Sequence, residues 1–429
     1  MKKLIIWKLQ MLARMILRKY QPHVIGVTGS VGKTSTVEAI YTVLRTKYRT
    51  RKNYKNYNNE FGTPLSIIGA ASGNSNPFAW LGVFFKALWL ILVRDTSYPE
   101  YLVLEMGADR PGDIQALTEL APCTVGVITA VGPAHLELFS SVEKVAREKS
   151  IIVTHLKKDN FAVMNADDSL VMSCQDKVRA EIISFGFSDS ATVRASDVRI
   201  SSGPSDDPWV DVQIKGLSFK LQYKGANVPV FLPSVLGQHQ VYAGLAAAAV
   251  GIAFGMNLAD ISAALREYQS PAGRMRLIPG IKHTSLIDDT YNSSPLAANA
   301  ALQLLKEVKV SGKKYVVMGD MLELGQYTQE GHEDVGQHVM GAADYLVTVG
   351  ERAKWIADGA EAAGMPVDRV VRFSDTEAAG KFVQEKIKTG DIILIKGSQG
   401  ARMERVTKEL MAEPTQAGEL LVRQSAEWR

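Results

Sequence analysis

Thr28-Gly29-Ser30-Val31-Gly32-Lys33-Thr34-Ser35 sets two glycines, one lysine and four hydroxyl side chains within eight residues. The apolar run His23-Val24-Ile25-Gly26-Val27 comes before it and reads as a short buried strand; a helix-like stretch from Ser35 to Lys47 comes after. Strand, glycine loop and helix in that order make a phosphate cradle. The glycines let backbone N–H groups turn inward toward phosphate oxygens, and the helix N-terminus adds the positive end of its dipole. Lys33 is placed to reach β- and γ-phosphates, and the Thr34 hydroxyl to ligate Mg²⁺. The strict pattern asks for glycine at position 27, where the chain has Val27, so only the compact form T-G-S-x-G-K-T is present.

Two further strand ends carry polar groups suited to the same chemistry. Leu102-Val103-Leu104-Glu105 ends in an acid, and a carboxylate at the carboxyl end of a strand is suited to holding Mg²⁺. Thr124-Val125-Gly126-Val127-Ile128-Thr129 leads to Pro133-Ala134-His135-Leu136-Glu137, which puts His135 just beyond a strand end, where ligand groups gather. Lys149 lies in Arg147-Glu148-Lys149, which by itself reads as the charged face of a helix.

These residues need a scaffold, and the chain has the material for one. It holds 429 residues, which implies two or three domains. Its 46% hydrophobic and 22% charged residues exclude a disordered chain, a collagen and a polytopic membrane protein. Two cysteines exclude a disulfide scaffold and point to a reducing compartment. Strands alternate with helices through residues 23–129, and again at 314–318, 344–349, 369–373 and 392–395, the pattern of mainly parallel sheets. Residues 188–235 differ, with alternating β-branched residues and a Gly-Pro-Ser-Asp-Asp-Pro turn at 203–208 that predict an antiparallel subregion. The alanine-rich run 243–249 reads as a packed helix.

Charge is uneven: residues 1–55 hold 13 Lys+Arg against one acid, Glu38. A nucleic-acid binder would spread such charge over a folded domain, so a nucleic-acid partner is not expected. Residues 1–21 predict a basic amphipathic helix, with Ile5, Leu9, Leu12 and Ile16 on one face and Lys8, Arg14, Arg18 and Lys19 opposite. Residues 77–93, PFAWLGVFFKALWLILV, are the most apolar run, 17 residues interrupted by Lys86. That is short for a membrane-spanning helix. The two segments are expected to pack against each other, with peripheral membrane contact through 1–21 and 77–93 left open.

In their order along residues 24–276 the motifs resemble the Mur ligase family, ATP-dependent ligases that build the peptidoglycan stem peptide. The resemblance rests on TGSVGKT, on Asn58-Asn59-Glu60-Phe61-Gly62-Thr63-Pro64, and on Glu105-Met106-Gly107-Ala108. It continues in His135-Leu136-Glu137, Lys149, Asn165-Ala166-Asp167-Asp168 and Pro271-Ala272-Gly273-Arg274-Met275. Asp288-Asp289-Thr290-Tyr291-Asn292-Ser293-Ser294-Pro295, Met318-Gly319-Asp320-Met321-Leu322-Glu323-Leu324-Gly325 and Lys396-Gly397-Ser398-Gln399-Gly400-Ala401-Arg402-Met403-Glu404 resemble the branch that adds D-alanyl-D-alanine.

The resemblance implies an α/β protein: a P-loop, doubly wound, mostly parallel central domain with a small antiparallel β-subregion, and a C-terminal Rossmann-like α/β domain. The expected boundaries are a basic helix at 1–23, an ATP-binding domain at 24–273 with an apolar insertion at about 70–98, and a C-terminal domain at 274–429. It implies an ATP-dependent amide ligase that works through an acyl phosphate on a peptidoglycan-precursor peptide and an amino acid or dipeptide, in the cytoplasm or on the cytoplasmic face of the membrane. ATP and two Mg²⁺ ions are the implied cofactors, with Lys149 carbamoylated.

The catalytic residues implied are Lys33, Glu105, His135 and Lys149, and the metal-binding ones Thr34, Glu105, His135 and Lys149. Nucleotide contacts fall to Gly29, Ser30, Gly32, Lys33, Thr34, Ser35, Asn165, Arg274, Asp289 and Asn292. Substrate contacts fall to Asn59, Glu60, Thr63, Lys396 and Ser398. Only about 23 residues precede the first strand, where three-domain members carry a UDP-binding domain, so such a domain of ordinary size is not expected. Alternatives are a lipid-linked or non-UDP substrate, a folylpolyglutamate-synthase-like ligase, and a degenerate scaffold subunit.

Overall fold

The computed structural model describes residues 2–53, 57–74, 76–132, 136–139, 141–204, 212–425 and 428. It divides into two compact units: Met1–Val198, Phe219–Phe231 and Gln238–Tyr268 form one, and Arg199–Ser218, Leu232–Gly237 and Gln269–Arg429 the other.

The first sheet contains β1 (His23–Thr28), β2 (Thr50–Lys52), β3 (Tyr101–Glu105), β4 (Val125–Ile128), β5 (Phe161–Asn165), β6 (Glu181–Gly186), β7 (Val193–Pro204), β8 (Val212–Tyr223) and β9 (Ala226–Pro233). Its order is β2-β3-β1-β4-β5-β6-β7-β8-β9. All pairings from β2 to β7 are parallel. β1, β3 and β4 are buried along almost their whole length, which is why they read as continuous apolar runs rather than alternating ones. β1 lies between β3 and β4, and from these neighbours the chain departs in opposite directions across the sheet. That is a topological switch point, the place where open α/β sheets take their ligands, at the carboxyl ends of β1 and β4. The expected antiparallel subregion is present as a hairpin. Lys224 and Gly225 join β8 to β9 with φ values of 47° and 80°, the two left-handed residues of a tight hairpin turn. The turn expected at 203–208 lies largely outside the described residues.

On this unit α1 (Lys2–Tyr20) buries Leu9, Leu12, Ala13 and Ile16, as its period predicts. α2 (Lys33–Leu44) follows the glycine loop, and α3 (Gly62–Ile68) is buried throughout. α4 (Pro77–Leu92) starts with Pro77 at its first position and the Asn76 side chain accepting from Phe78 and Ala79 N–H groups. α4 packs on α1. Lys19 Nζ donates to the carbonyls of Leu90, Ile91 and Val93 at 2.9, 2.9 and 2.8 Å, a cation seated on the negative end of the α4 dipole. α5 (Asp113–Leu120) has its own anionic cap: Glu148 accepts from Gly112 and Ile114 N–H groups at 2.9 and 2.8 Å.

The second sheet contains β10 (Arg276–Gly280), β11 (Thr284–Asp289), β12 (Lys314–Gly319), β13 (Tyr345–Val349), β14 (Val370–Phe373) and β15 (Ile392–Lys396), in the order β10-β11-β15-β12-β13-β14. Only β10 runs antiparallel to its neighbour. β15, inserted between β11 and β12, is buried at every residue and brings its end beside that of β11, with Asp289 paired to Lys396 in register. The core on one face is built from Leu286, Val317, Val347, Ile393, Ile395 and the helix residues Val383 and Val406.

Candidate active site

In the first unit the loop after β1 is locked by the loop after β4. Ser30 N–H donates to the Ala130 carbonyl at 2.7 Å, and Thr129 Oγ1 donates to the Val31 carbonyl at 2.6 Å. A Cβ on Gly29 would lie 1.9 Å from Thr129 Oγ1, so only glycine lets this loop close. Gly32 has φ 82° and no side chain to cap α2, which leaves the first turn of the helix to be met by something other than a side-chain cap. Lys33 Nζ folds back and donates to the Gly29 carbonyl at 2.8 Å. Thr34 and Ser35 stand in the first turn of α2, Ser35 buried.

Glu105 ends β3 in register with Val27 of β1, which puts its carboxylate at the same edge of the sheet as the glycine loop. It is buried, and Asn58 Nδ2 donates to one of its oxygens at 3.1 Å. Asn165 ends β5 and donates to the Thr129 carbonyl at 2.8 Å, so it steadies the loop that holds Ser30 and Val31. Lys149, on the helix Val142–Thr154, is 3% exposed. Burial pulls its pKa down to about 8, and the positive charge of nearby Lys33 pulls the same way, against Glu148 and Asp109. The Lys33 ammonium repels the charged form of the buried Lys149. An anion between them removes that repulsion, so the pair suits a phosphate or a carbamate.

Asn59, Glu60 and Thr63 cluster at the start of α3. Asn59 Oδ1 accepts from Phe61 and Gly62 N–H groups at 3.1 and 2.9 Å, and Glu60 is exposed. Thr63 is fully buried, and its hydroxyl finds no hydrogen-bond partner among the described residues. His135 lies outside the described residues. Asn58 and Thr129 are the supporting groups not singled out from sequence; each acts through a contact between segments far apart in the chain.

In the second unit Gly273 has φ 71° and donates its N–H to Asp288 Oδ2 at 2.9 Å. Arg274 stacks over the Tyr291 ring at 4.2 Å. Asp288 is fully buried and also accepts from Thr290 and Thr407 hydroxyls at 2.8 and 3.0 Å; burial raises its pKa to about 6. Asp289 accepts from Lys396 Nζ at 2.6 Å, and Lys396 also donates to the Asn292 carbonyl at 3.0 Å. Ser398 Oγ accepts from Leu322 N–H at 2.9 Å and donates to the Ser293 carbonyl at 3.2 Å. Lys396 and Ser398 therefore tie the Asp289–Ser293 loop to the β12 and β15 ends, while the Asn292 residue they support is exposed.

The Lys396–Asp289 pair carries a stability prediction, since their side chains are only 2% and 14% exposed. Lys396→Met leaves the Asp289 charge without its partner and is expected to cost about 3 kcal/mol. Urea unfolding should show a lower midpoint at unchanged slope.

Among the described residues no cluster of three or more His, Cys, Asp and Glu side chains could hold a metal. Thr34 in the first turn of α2 and Glu105 at the end of β3 carry oxygen donors, hard ligands of the kind Mg²⁺ accepts when phosphate oxygens complete its shell.

Residues 88–251 match the Mur ligase middle domain, and residues 273–399 the glutamate ligase domain of Mur ligases. The chain is 32% identical over 410 residues to the UDP-N-acetylmuramoyl-tripeptide–D-alanyl-D-alanine ligase of Bacillus subtilis, across 95% of this chain and 79% of that protein. It is similar to the crystal structure of MurF from Acinetobacter baumannii, with a TM-score of 0.78 and 27% identity over 95% of this chain and 81% of that one. MurF ligase from Thermotoga maritima in complex with ADP gives a TM-score of 0.72 and 28% identity, covering 94% and 83%.

Proposed function

The chain belongs to the Mur ligase family, and from that premise we propose that it joins D-alanyl-D-alanine to the carboxyl end of a UDP-muramoyl-tripeptide. It is an ATP-dependent, ADP-forming amide ligase of the MurF type. A carboxylate oxygen of the peptide bonds to the γ-phosphorus while the bond to ADP breaks, giving an acyl phosphate. The incoming amine then attacks the acyl carbon, and the tetrahedral intermediate loses a proton and expels phosphate.

Both steps bring anions together, and the observation that carries the reading is the half-buried Lys33 of the glycine loop acting on the buried Lys149. Lys33 screens the γ-phosphate as the carboxylate approaches. Lys149, with its pKa near 8, has the neutral amine fraction needed to take up CO₂ as a carbamate. Thr34, Glu105, His135 and the carbamate are the groups we assign to Mg²⁺, which would neutralise phosphate charge. Gly29, Ser30, Gly32, Ser35 and Asn165 are assigned to the nucleotide, as are Arg274, Asp289 and Asn292. Asn59, Glu60 and Thr63 are assigned to the peptide, supported by the unpartnered Thr63 hydroxyl. Lys396 and Ser398 are assigned to the incoming dipeptide through the loop they brace.

We divide the chain at 1–23, 24–273 and 274–429; the family matches that end at 251 and begin at 273 support the second boundary. The use of ATP favours a cytoplasmic location, with peripheral membrane contact through residues 1–21 and 77–93.

Phosphate release from ATP tests the reading. It should require UDP-muramoyl-tripeptide and D-alanyl-D-alanine together. Release with folate and glutamate instead, or with neither pair, contradicts it.

A further inference from the structure

α4 turns its most apolar side chains away from the protein. Phe78, Leu81, Phe85, Leu88, Trp89 and Leu92 follow one another at intervals of three, four, three, one and three residues, which keeps them on a single side of the helix. All six are exposed, Phe78 at 79% and Leu92 at 80%. The opposite side is satisfied, with Val83, Ala87 and Leu90 buried in the core.

α1 packs beside α4 and repeats the arrangement with charge added. Trp7, Met11 and Met15 recur every fourth residue and are exposed, roughly opposite the buried Leu9, Leu12, Ala13 and Ile16. Lys8, Arg14 and Arg18 are exposed around the same stripe, and neither helix contains an acid. Two donors at the helix junction hold it together: the Lys19 ammonium and the Tyr20 hydroxyl bond the last carbonyls of α4. Nine large apolar side chains on one helix pair form a surface that water does not favour.

No helix among the described residues is long and apolar enough to cross a membrane. α4, with 16 residues, spans about 24 Å, short of a bilayer core of about 30 Å. Apolar stripes rich in Trp and Phe, rimmed by Lys and Arg and free of acids, match an interface of acyl chains below anionic headgroups. A protein partner would need an acidic rim around an apolar patch.

We infer that α1 and α4 together dock the protein flat on an anionic lipid bilayer, the stripe of Phe78, Leu81, Phe85, Leu88, Trp89 and Leu92 entering the acyl boundary and Lys8, Arg14 and Arg18 meeting lipid phosphates. This specifies by residue the membrane contact proposed above, and it stands whether or not the substrate assignment does.

The test is sedimentation of the full chain with vesicles of phosphatidylcholine, with and without 30 mol% phosphatidylglycerol, across a salt series, in parallel with ligase turnover on soluble substrates. Binding should need the anionic lipid and weaken with salt. Phe85→Ser with Leu92→Ser, and separately Lys8→Gln with Arg14→Gln and Arg18→Gln, should each lower vesicle affinity at least tenfold with turnover and melting temperature unchanged, because all these side chains are exposed. Wild-type protein that stays in the supernatant at low salt while turning over substrate overturns the docking alone. So does a concentration-dependent dimer that Phe85→Ser with Leu92→Ser abolishes, because that result gives the face to a second copy of the chain. Loss of turnover with vesicle binding retained would instead count against the ligase reading.

Discussion

Lys33→Ala is expected to lower kcat/KM for ATP-dependent amide formation by about a thousandfold, the scale on which a preorganised charge at the reacting phosphate acts. Lys33 Nζ is half-buried and curled over the carbonyls of Gly29 and Ser30, a position held by a loop that closes only because Gly29 has no Cβ. Removing the ammonium leaves backbone N–H groups to bind phosphate but nothing mobile to follow the charge as the carboxylate attacks. The fold should survive, because the ties that close the loop come from Ser30, Thr129 and Ala130. Steady-state kinetics beside a circular-dichroism melt separates the two effects. A second consequence follows from the sign of the coupling. Lys33 helps to hold the Lys149 pKa down, so Lys33→Ala should raise it, and lysine labelling of Lys149 should require a higher pH than in the wild type.

Lys149→Ala is expected to cost a comparable factor, about 10²–10³ in kcat, if its carbamate supplies a ligand to a phosphate-bound cation. With a pKa of about 8, about a tenth of the Lys149 side chains are neutral at pH 7 and about nine-tenths at pH 9. Carbamate formation joins the amine nitrogen to CO₂ with loss of a proton, so it draws on the neutral fraction. Turnover in degassed buffer should therefore fall below pH 8 and recover on adding bicarbonate. Lys149→Arg should be inactive at every bicarbonate concentration. The same shift bears on stability: between pH 8 and 10.5 the unfolded chain binds the proton that the folded chain has released. Stability from this group therefore rises with pH across that window, by about 3 kcal/mol in all. Turnover insensitive to bicarbonate, with Lys149→Ala near wild type, would remove Lys149 from the chemistry.

The strand–glycine loop–helix arrangement and the place of Glu105 at a strand end were legible because their signals are local. Glycines at fixed spacing after an apolar strand allow few other structures, and β1, β3 and β4 are buried so completely that their sequences are unbroken apolar runs. The second sheet was legible for the same reason, as β12, β13 and β15 show.

Lys149 was not legible from its neighbours. Arg147-Glu148-Lys149 looks like a solvated face, yet Glu148 turns inward to cap α5 and Lys149 is buried beside Lys33. Which side of a charged helix faces inward depends on the element packed against it, and α5 precedes this helix by a strand and a long connection. Asn58 and the adjacent Asn59 are alike in sequence and differ only in tertiary contacts: Asn58 reaches Glu105 across 47 residues, whereas Asn59 accepts from Gly62 N–H at the start of α3. Lys396 and Ser398 look like ligand residues in a glycine-rich turn, and the structure shows that their polar atoms bind backbone and Asp289. Apart from Lys86, α4 is apolar all round, so its sequence could not say which side would stay uncovered. Packing against α1 and α3 decides that.

Amide formation through an acyl phosphate on a peptide carboxylate is the step on which every other assignment depends. Transfer of isotopic oxygen tests it most directly. UDP-muramoyl-tripeptide with ¹⁸O in its terminal carboxylate should be incubated with ATP, Mg²⁺ and D-alanyl-D-alanine, and the released phosphate analysed by mass spectrometry. One ¹⁸O atom should appear in each phosphate formed, in step with the pentapeptide product. Product accompanied by unlabelled phosphate would contradict the account.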